Sequence, residues 1–164
     1  MKSKLFLFAI SILLMQMSFN YLHGQSSAPK LDQLALMQQY NGNWNGSVWD
    51  NTFCRFTITL KNKGGEESFT YYTKEKELGT GKQIWYYDET ADQILVAQLY
   101  DFKNFYIWKI KFIEPNKAIC EISSNIKTES PSEKWSMEFL PTGEIRQTLI
   151  SETRKVTYTY QKVN

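Results

Sequence analysis

Seven side chains, Phe56, Tyr71, Tyr86, Tyr106, Trp108, Tyr158 and Tyr160, fall on what reads as the apolar side of alternating stretches. Large rings with polar tips can wall a pocket and present hydrogen-bonding groups inside it, because a buried phenol or indole N–H needs a partner. A solid core would be filled more simply by Leu, Ile and Val. These rows therefore point to a cavity lined for a flat or amphiphilic molecule.

Other chemistries find little support. The single histidine, His23, lies in a segment that reads as a cleaved leader, so the mature chain has no imidazole for a catalytic triad, a zinc site or a haem. Two carboxylates can hydrolyse a glycoside without histidine. The candidate acids Glu66, Glu67, Asp88, Glu89, Asp92 and Glu133, however, read as turn residues or as the polar side of strands. No metal site and no cofactor is expected. Cys54 and Cys120 are both on apolar positions and read equally as a disulfide or as two small buried side chains.

The leader is residues 1–24. Lys2 and Lys4 precede the apolar run Leu5–Met15, and Leu22-His23-Gly24 places a small residue before Gln25, so cleavage is expected near Gly24–Gln25. The apolar run is shorter than the roughly 18–20 residues that span a bilayer, which argues against a retained anchor. The expectation is export, to the periplasm or the medium, of a single domain over 25–164. The whole chain has 19 basic and 17 acidic residues; without Lys2 and Lys4 it has 17 of each. With no basic run, neither nucleic acid nor an acidic membrane surface is an expected partner. Nothing in the residues identifies a protein partner.

What must position the aromatic rows is a meander. Residues 30–39 carry Leu31, Leu34 and Met37 at helical spacing, and then Tyr40-Asn41-Gly42-Asn43-Trp44-Asn45-Gly46 opens a series of alternating strands. Cys54, Phe56, Ile58 and Leu60 alternate with Arg55, Thr57, Thr59 and Lys61; Tyr106, Trp108, Ile110 and Phe112 alternate with Lys109 and Lys111. Asn62-Lys63-Gly64-Gly65 and Leu140-Pro141-Thr142-Gly143 are tight turns. Short turns force antiparallel neighbours, and a long antiparallel meander either closes or leaves two exposed edges. The expected fold is all-β: one antiparallel up-and-down barrel of about eight to ten strands with a short N-terminal helix.

A leader, a short helix, Gly42-x-Trp44 on the first strand and a meander together resemble the calycin group, and within it the small bacterial lipocalin-like proteins. The resemblance implies that Gly42 and Trp44 close one end of the barrel. It also implies that a late basic residue packs over that indole, for which Arg154 is the nearest candidate, with Arg146 behind it. The Thr-Asp-Tyr motif of core lipocalins is absent. Avidins and fatty-acid-binding proteins share the architecture, so the fold alone selects no ligand.

The reading is thus a non-enzymatic exported protein that holds a small hydrophobic or amphiphilic molecule in a barrel. The alternative is a secreted β-sandwich that recognises a glycan or a protein through outward aromatics, among them Trp49, Tyr72, Trp85 and Tyr87.

Overall fold

A computed structural model describes residues 30–100, 104–123 and 133–163; the leader and its cleavage point lie outside them. After helix α1 (Gln33–Met37) and a 3-10 turn (Gln38–Tyr40) come ten strands: β1 (Gly42–Trp49), β2 (Thr52–Lys61), β3 (Gly64–Tyr72), β4 (Glu77–Asp88), β5 (Gln93–Tyr100), β6 (Asn104–Glu114), β7 (Lys117–Ser123), β8 (Glu133–Phe139), β9 (Glu144–Leu149) and β10 (Thr157–Val163). Each strand pairs antiparallel with its sequence neighbours, and β1 pairs with β10 from Asn43↔Val163 to Ser47↔Thr159. The barrel is closed and has no edge, which excludes the sandwich.

Hairpin chemistry explains the tight meander. Asn51, Asn62 and Asp92 take positive φ in the turns that follow β1, β2 and β4, a conformation their short polar side chains tolerate. Closure itself depends on Gly46. It lies opposite Tyr160 on β10 and Cys54 on β2, and a Cβ there would run into the Thr159 carbonyl oxygen and come within 2.8 Å of the Tyr160 ring. Only glycine lets β10 approach β1 that closely.

One end of the barrel is shut by the N-terminal turn. Asp32 caps α1 by accepting from the Ala35 N–H at 2.9 Å. Gln33 is buried and grips the backbone of Phe112: its Nε2 donates to the Phe112 carbonyl at 2.9 Å, and its Oε1 accepts from the Phe112 N–H at 2.7 Å. β5 pairs with β6 only as far as Ile94↔Ile110, so Gln33 supplies the ladder bonds that Phe112 would otherwise lack. Tyr40 then packs into the barrel, with its ring centroid 4.9 Å from Trp85 and 4.8 Å from Phe139. Trp44 is buried beneath it and donates its indole N–H to the Tyr40 carbonyl at 2.8 Å.

Gly42 and Trp44 therefore stand at the sealed end, but the cation over the indole is not Arg154. Lys162, the cross-strand partner of Trp44, lies with Nζ 5.3 Å from the ring centroid. Arg154 is exposed on the connection between β9 and β10, and Arg146 pairs with Glu138 at 3.6 Å on the outer wall. A lysine on the last strand reaches the indole because register puts it opposite; the loop arginine lies toward the other end, near Tyr158.

Gln33→Leu is expected to destabilise the fold by about 2–4 kcal/mol, since it leaves two buried backbone groups of Phe112 without partners. Urea unfolding measures this. A loss of under about 0.5 kcal/mol would mean that the clamp is dispensable.

Candidate ligand-binding site

Cross-strand register builds a polar row through an otherwise apolar interior. Residues opposite one another on antiparallel strands share a face, and the pairs Ile58↔Glu67, Glu67↔Gln83, Gln83↔Gln98 and Gln98↔Tyr106 run across β2 to β6. Glu67, Gln83 and Gln98 are all buried. Gln83 Nε2 donates to Gln98 Oε1 at 3.0 Å, and Trp85 Nε1 donates to Glu67 Oε2 at 3.1 Å. On the far wall the Tyr160 hydroxyl donates to Gln147 Oε1 at 3.5 Å.

Two expectations fail here. Glu67 is not on the solvated side: it shares the inward face of β3 with Phe69 and Tyr71 and is 6% exposed. The parity of β4 is also the reverse of that expected. Trp85 is buried, whereas Tyr86 is 53% exposed on the outer wall beside Ile84. The cause is register: β4 pairs with β3 so that Gln83 lies opposite the inward Glu67 and Trp85 opposite Gly65, which puts Gln83 and Trp85 on the inward face. Tyr86 takes no part in the interior, and Trp85 is unavailable for an outer recognition surface.

The interior holds two adjacent chambers. The lower, about 70 Å³, lies above Tyr40 and is lined by Cys54, Phe56, Glu67, Tyr71, Gln83, Trp85, Gln147 and Tyr160, among others. That is room for a few waters or one small polar headgroup. The upper, about 500 Å³, opens at the other end between Trp49, Tyr71, Tyr100, Tyr106, Ile122 and Glu133. Tyr71, Gln98 and Trp108 line both.

Of the expected wall residues, Phe56 and Tyr160 therefore face the lower chamber, Tyr106 faces the upper, and Tyr71 and Trp108 line both. Tyr158 is on the rim, stacked on Trp135 at 5.4 Å and edge-on to Trp49 at 6.5 Å. Trp49 itself follows a register shift at the end of β1, which turns its ring over the mouth to lie 5.1 Å from Tyr71.

The two cysteines are both buried and free. β2 and β7 stand five strands apart either way round the barrel, so Cys54 and Cys120 are on opposite walls. A disulfide needs Cα atoms within about 7 Å, and this pair cannot form one.

Electrostatically the lower chamber is a set of neutral groups. Burial pushes the Glu67 carboxyl up from an ordinary 4.5 to about 8, against the lowering influence of the Trp85 hydrogen bond. Burial likewise pushes the Cys54 thiol up to about 12 and raises the Tyr40, Tyr71 and Tyr160 phenols, so none ionises near neutrality. Cys54 is thus no thiolate nucleophile. Among the buried side-chain polar atoms described, Trp108 Nε1 alone has no hydrogen-bond partner.

No protein-family model matches the chain, and no curated protein matches it. Among solved structures it is similar to one titled a REP1-NXSQ fatty acid transporter, with TM-score 0.48 and 13% identity over 76% of this chain and 96% of that one. At that distance the likeness carries nothing about a ligand. The closed antiparallel meander with a helix at one end is calycin-like in architecture.

Glu67 sets a pH dependence. Its carboxyl binds a proton in the folded chain up to about pH 8 but releases it near 4.5 when unfolded. The unfolded state therefore binds fewer protons between those values, and stability falls as pH rises through that window. The group's favourable share is complete below about pH 4.5 and gone above about pH 8. Glu67→Gln, which keeps an acceptor for Trp85, should flatten the slope and be more stable than wild type at pH 8, by about 1.4 kcal/mol for each pH unit by which the pKa is raised. Urea titrations from pH 5 to 9 measure it; parallel curves for the two proteins would refute a neutral buried Glu67.

Proposed function

We propose that the mature chain is an exported, non-enzymatic binding protein that holds one small amphiphilic molecule, with its body in the upper chamber and a polar end in the lower. The observation that carries this is the Trp108 indole N–H, buried and unsatisfied on a residue lining both chambers. A buried donor without a partner costs about 1–3 kcal/mol, and a ligand acceptor would recover much of that. The mouth supports the same reading. At about 500 Å³, with Trp49, Tyr71, Tyr100 and Tyr106 around it, it has the size and apolar lining of small-molecule sites.

The outer wall supports a barrel bathed in water rather than lipid. Outward positions carry Arg55, Lys61, Lys109 and Lys111, and ion pairs such as Lys134–Glu121 at 3.1 Å and Lys63–Glu89 at 2.7 Å. A membrane barrel shows an apolar band there. Among the described residues, no helix is long and apolar enough to cross a membrane. Export to the periplasm or the medium remains part of the proposal and rests on the leader of residues 1–24.

Protein purified from its own host after export should yield a stoichiometric small molecule in an organic extract analysed by mass spectrometry. An empty extract from folded monomer would overturn the proposal. Once a ligand is in hand, Trp108→Phe should weaken it roughly tenfold, the worth of one hydrogen bond, while the ligand-free unfolding midpoint barely changes. Losses of stability and affinity in equal measure would mean that Trp108 is only part of the core.

A further inference from the structure

We propose that the lower chamber is a headgroup subsite for an uncharged carbonyl group, of ketone, ester or amide type, and that it rejects carboxylates; this deepens the binding reading above and rests on it. The first ground is size. About 70 Å³ beneath a mouth of about 500 Å³ admits a head and not a body, which fixes the direction of entry.

The second ground is the sense of the hydrogen bonds. Glu67 Oε2 already accepts from Trp85, so in the protonated carboxyl the other oxygen is left as an O–H donor. Trp108, which lines the same chamber, carries the one buried side-chain polar atom described that has no partner. A carbonyl oxygen accepts from the Glu67 O–H and keeps a second lone pair for such a donor. A carboxylate would bring a second negative group against Glu67, and no lysine or arginine among the described residues lines either chamber to offset it. An ammonium head has no lone pair for the Trp108 N–H and would require Glu67 to give up its proton first.

The third ground is that Glu67 can be read without interference. The titratable groups facing it are Tyr40 from the 3-10 turn, Cys54 from β2, Tyr71 from β3 and Tyr160 from β10, while β4 contributes only the uncharged Gln83 and Trp85. All four neighbours are shifted upward by burial and keep their protons where Glu67 loses its own. Glu133, at the rim of the upper chamber, is held by the Trp135 N–H at 2.9 Å. Ionised, Glu67 ceases to be a donor and repels a carbonyl oxygen, so carbonyl affinity should fall as pH rises through about 8.

Three probes sharing one flat body separate the cases: 2-acetylnaphthalene, 2-naphthoate and 2-naphthylmethylamine, each titrated by calorimetry into wild type and Glu67→Gln at pH 6.5 and 9.5. The expected result at pH 6.5 is that the ketone binds at least about tenfold tighter than the other two, one hydrogen bond's worth. Its affinity should drop about tenfold at pH 9.5 in wild type, and Glu67→Gln, whose amide does not titrate, should lose that drop. Naphthoate equal to or tighter than the ketone, the amine tightest, or a ketone affinity indifferent to pH in wild type would each overturn the subsite while leaving a binding barrel intact. Binding of none of the three would overturn the amphiphile reading and the subsite with it.

Discussion

A buried glutamine amide that bonds both the N–H and the C=O of one residue holds the cap on this barrel. β5 ends before it can satisfy Phe112 on β6, and Gln33 supplies both missing bonds from the helix. The amide is a peptide-like donor and acceptor on a side chain, so it substitutes for a strand without adding one. Fixing α1 there brings Tyr40 over the barrel axis, and Trp44 locks it by donating to its carbonyl. Were the clamp absent, that end would admit water. Solvation would then remove the desolvation that keeps Glu67 neutral, and with it the character of the chamber above.

The interior polar row works against stability. Glu67, Gln83 and Gln98 lie where apolar residues would pack at no polar cost, and each buried polar atom needs a partner. The structure meets most of this internally, through Trp85–Glu67 and Gln83–Gln98, and leaves Trp108 unmet. A barrel selected only for stability would close that gap. The unmet donor belongs to a residue lining both chambers, and the neutral carboxyl to one lining the lower, an arrangement that fits the proposed binding of an acceptor.

Much of this was legible in the residues, and the failures have physical causes. Alternation in β2 and β6 was unambiguous because charged residues mark the outer face, and the closed meander followed from the short turns. β4 was not legible, because Gln83 to Tyr87 offers bulky groups on both parities; its register against β3, with Gln83 opposite the inward Glu67, decides the matter. Glu67 could have been placed from sequence, as it lies two residues before Phe69 and four before Tyr71 on one strand. Its charge suggested the outside, but side-chain period outranks polarity when neighbours on the same face are large rings. The Trp44 cation was missed for the opposite reason: the register of β10 against β1 brings Lys162 to the ring, and no local pattern encodes that pairing.

The two chambers together give the site a direction. Tyr71, Gln98 and Trp108 belong to both, so they stand where the two chambers meet. The rim rings Trp49, Tyr71 and Tyr158 can stack on a flat body but carry little that distinguishes one from another, whereas the proposed subsite below would distinguish heads by charge and by hydrogen-bond sense. On the proposed function, affinity would come from the apolar area buried in the mouth, and selectivity from the few groups at the bottom. The neutral Glu67 joins the two roles. It makes the empty protein less stable at neutral pH than a glutamine would, and on the proposed reading a molecule that satisfied it would recover that stability only when bound in the right orientation.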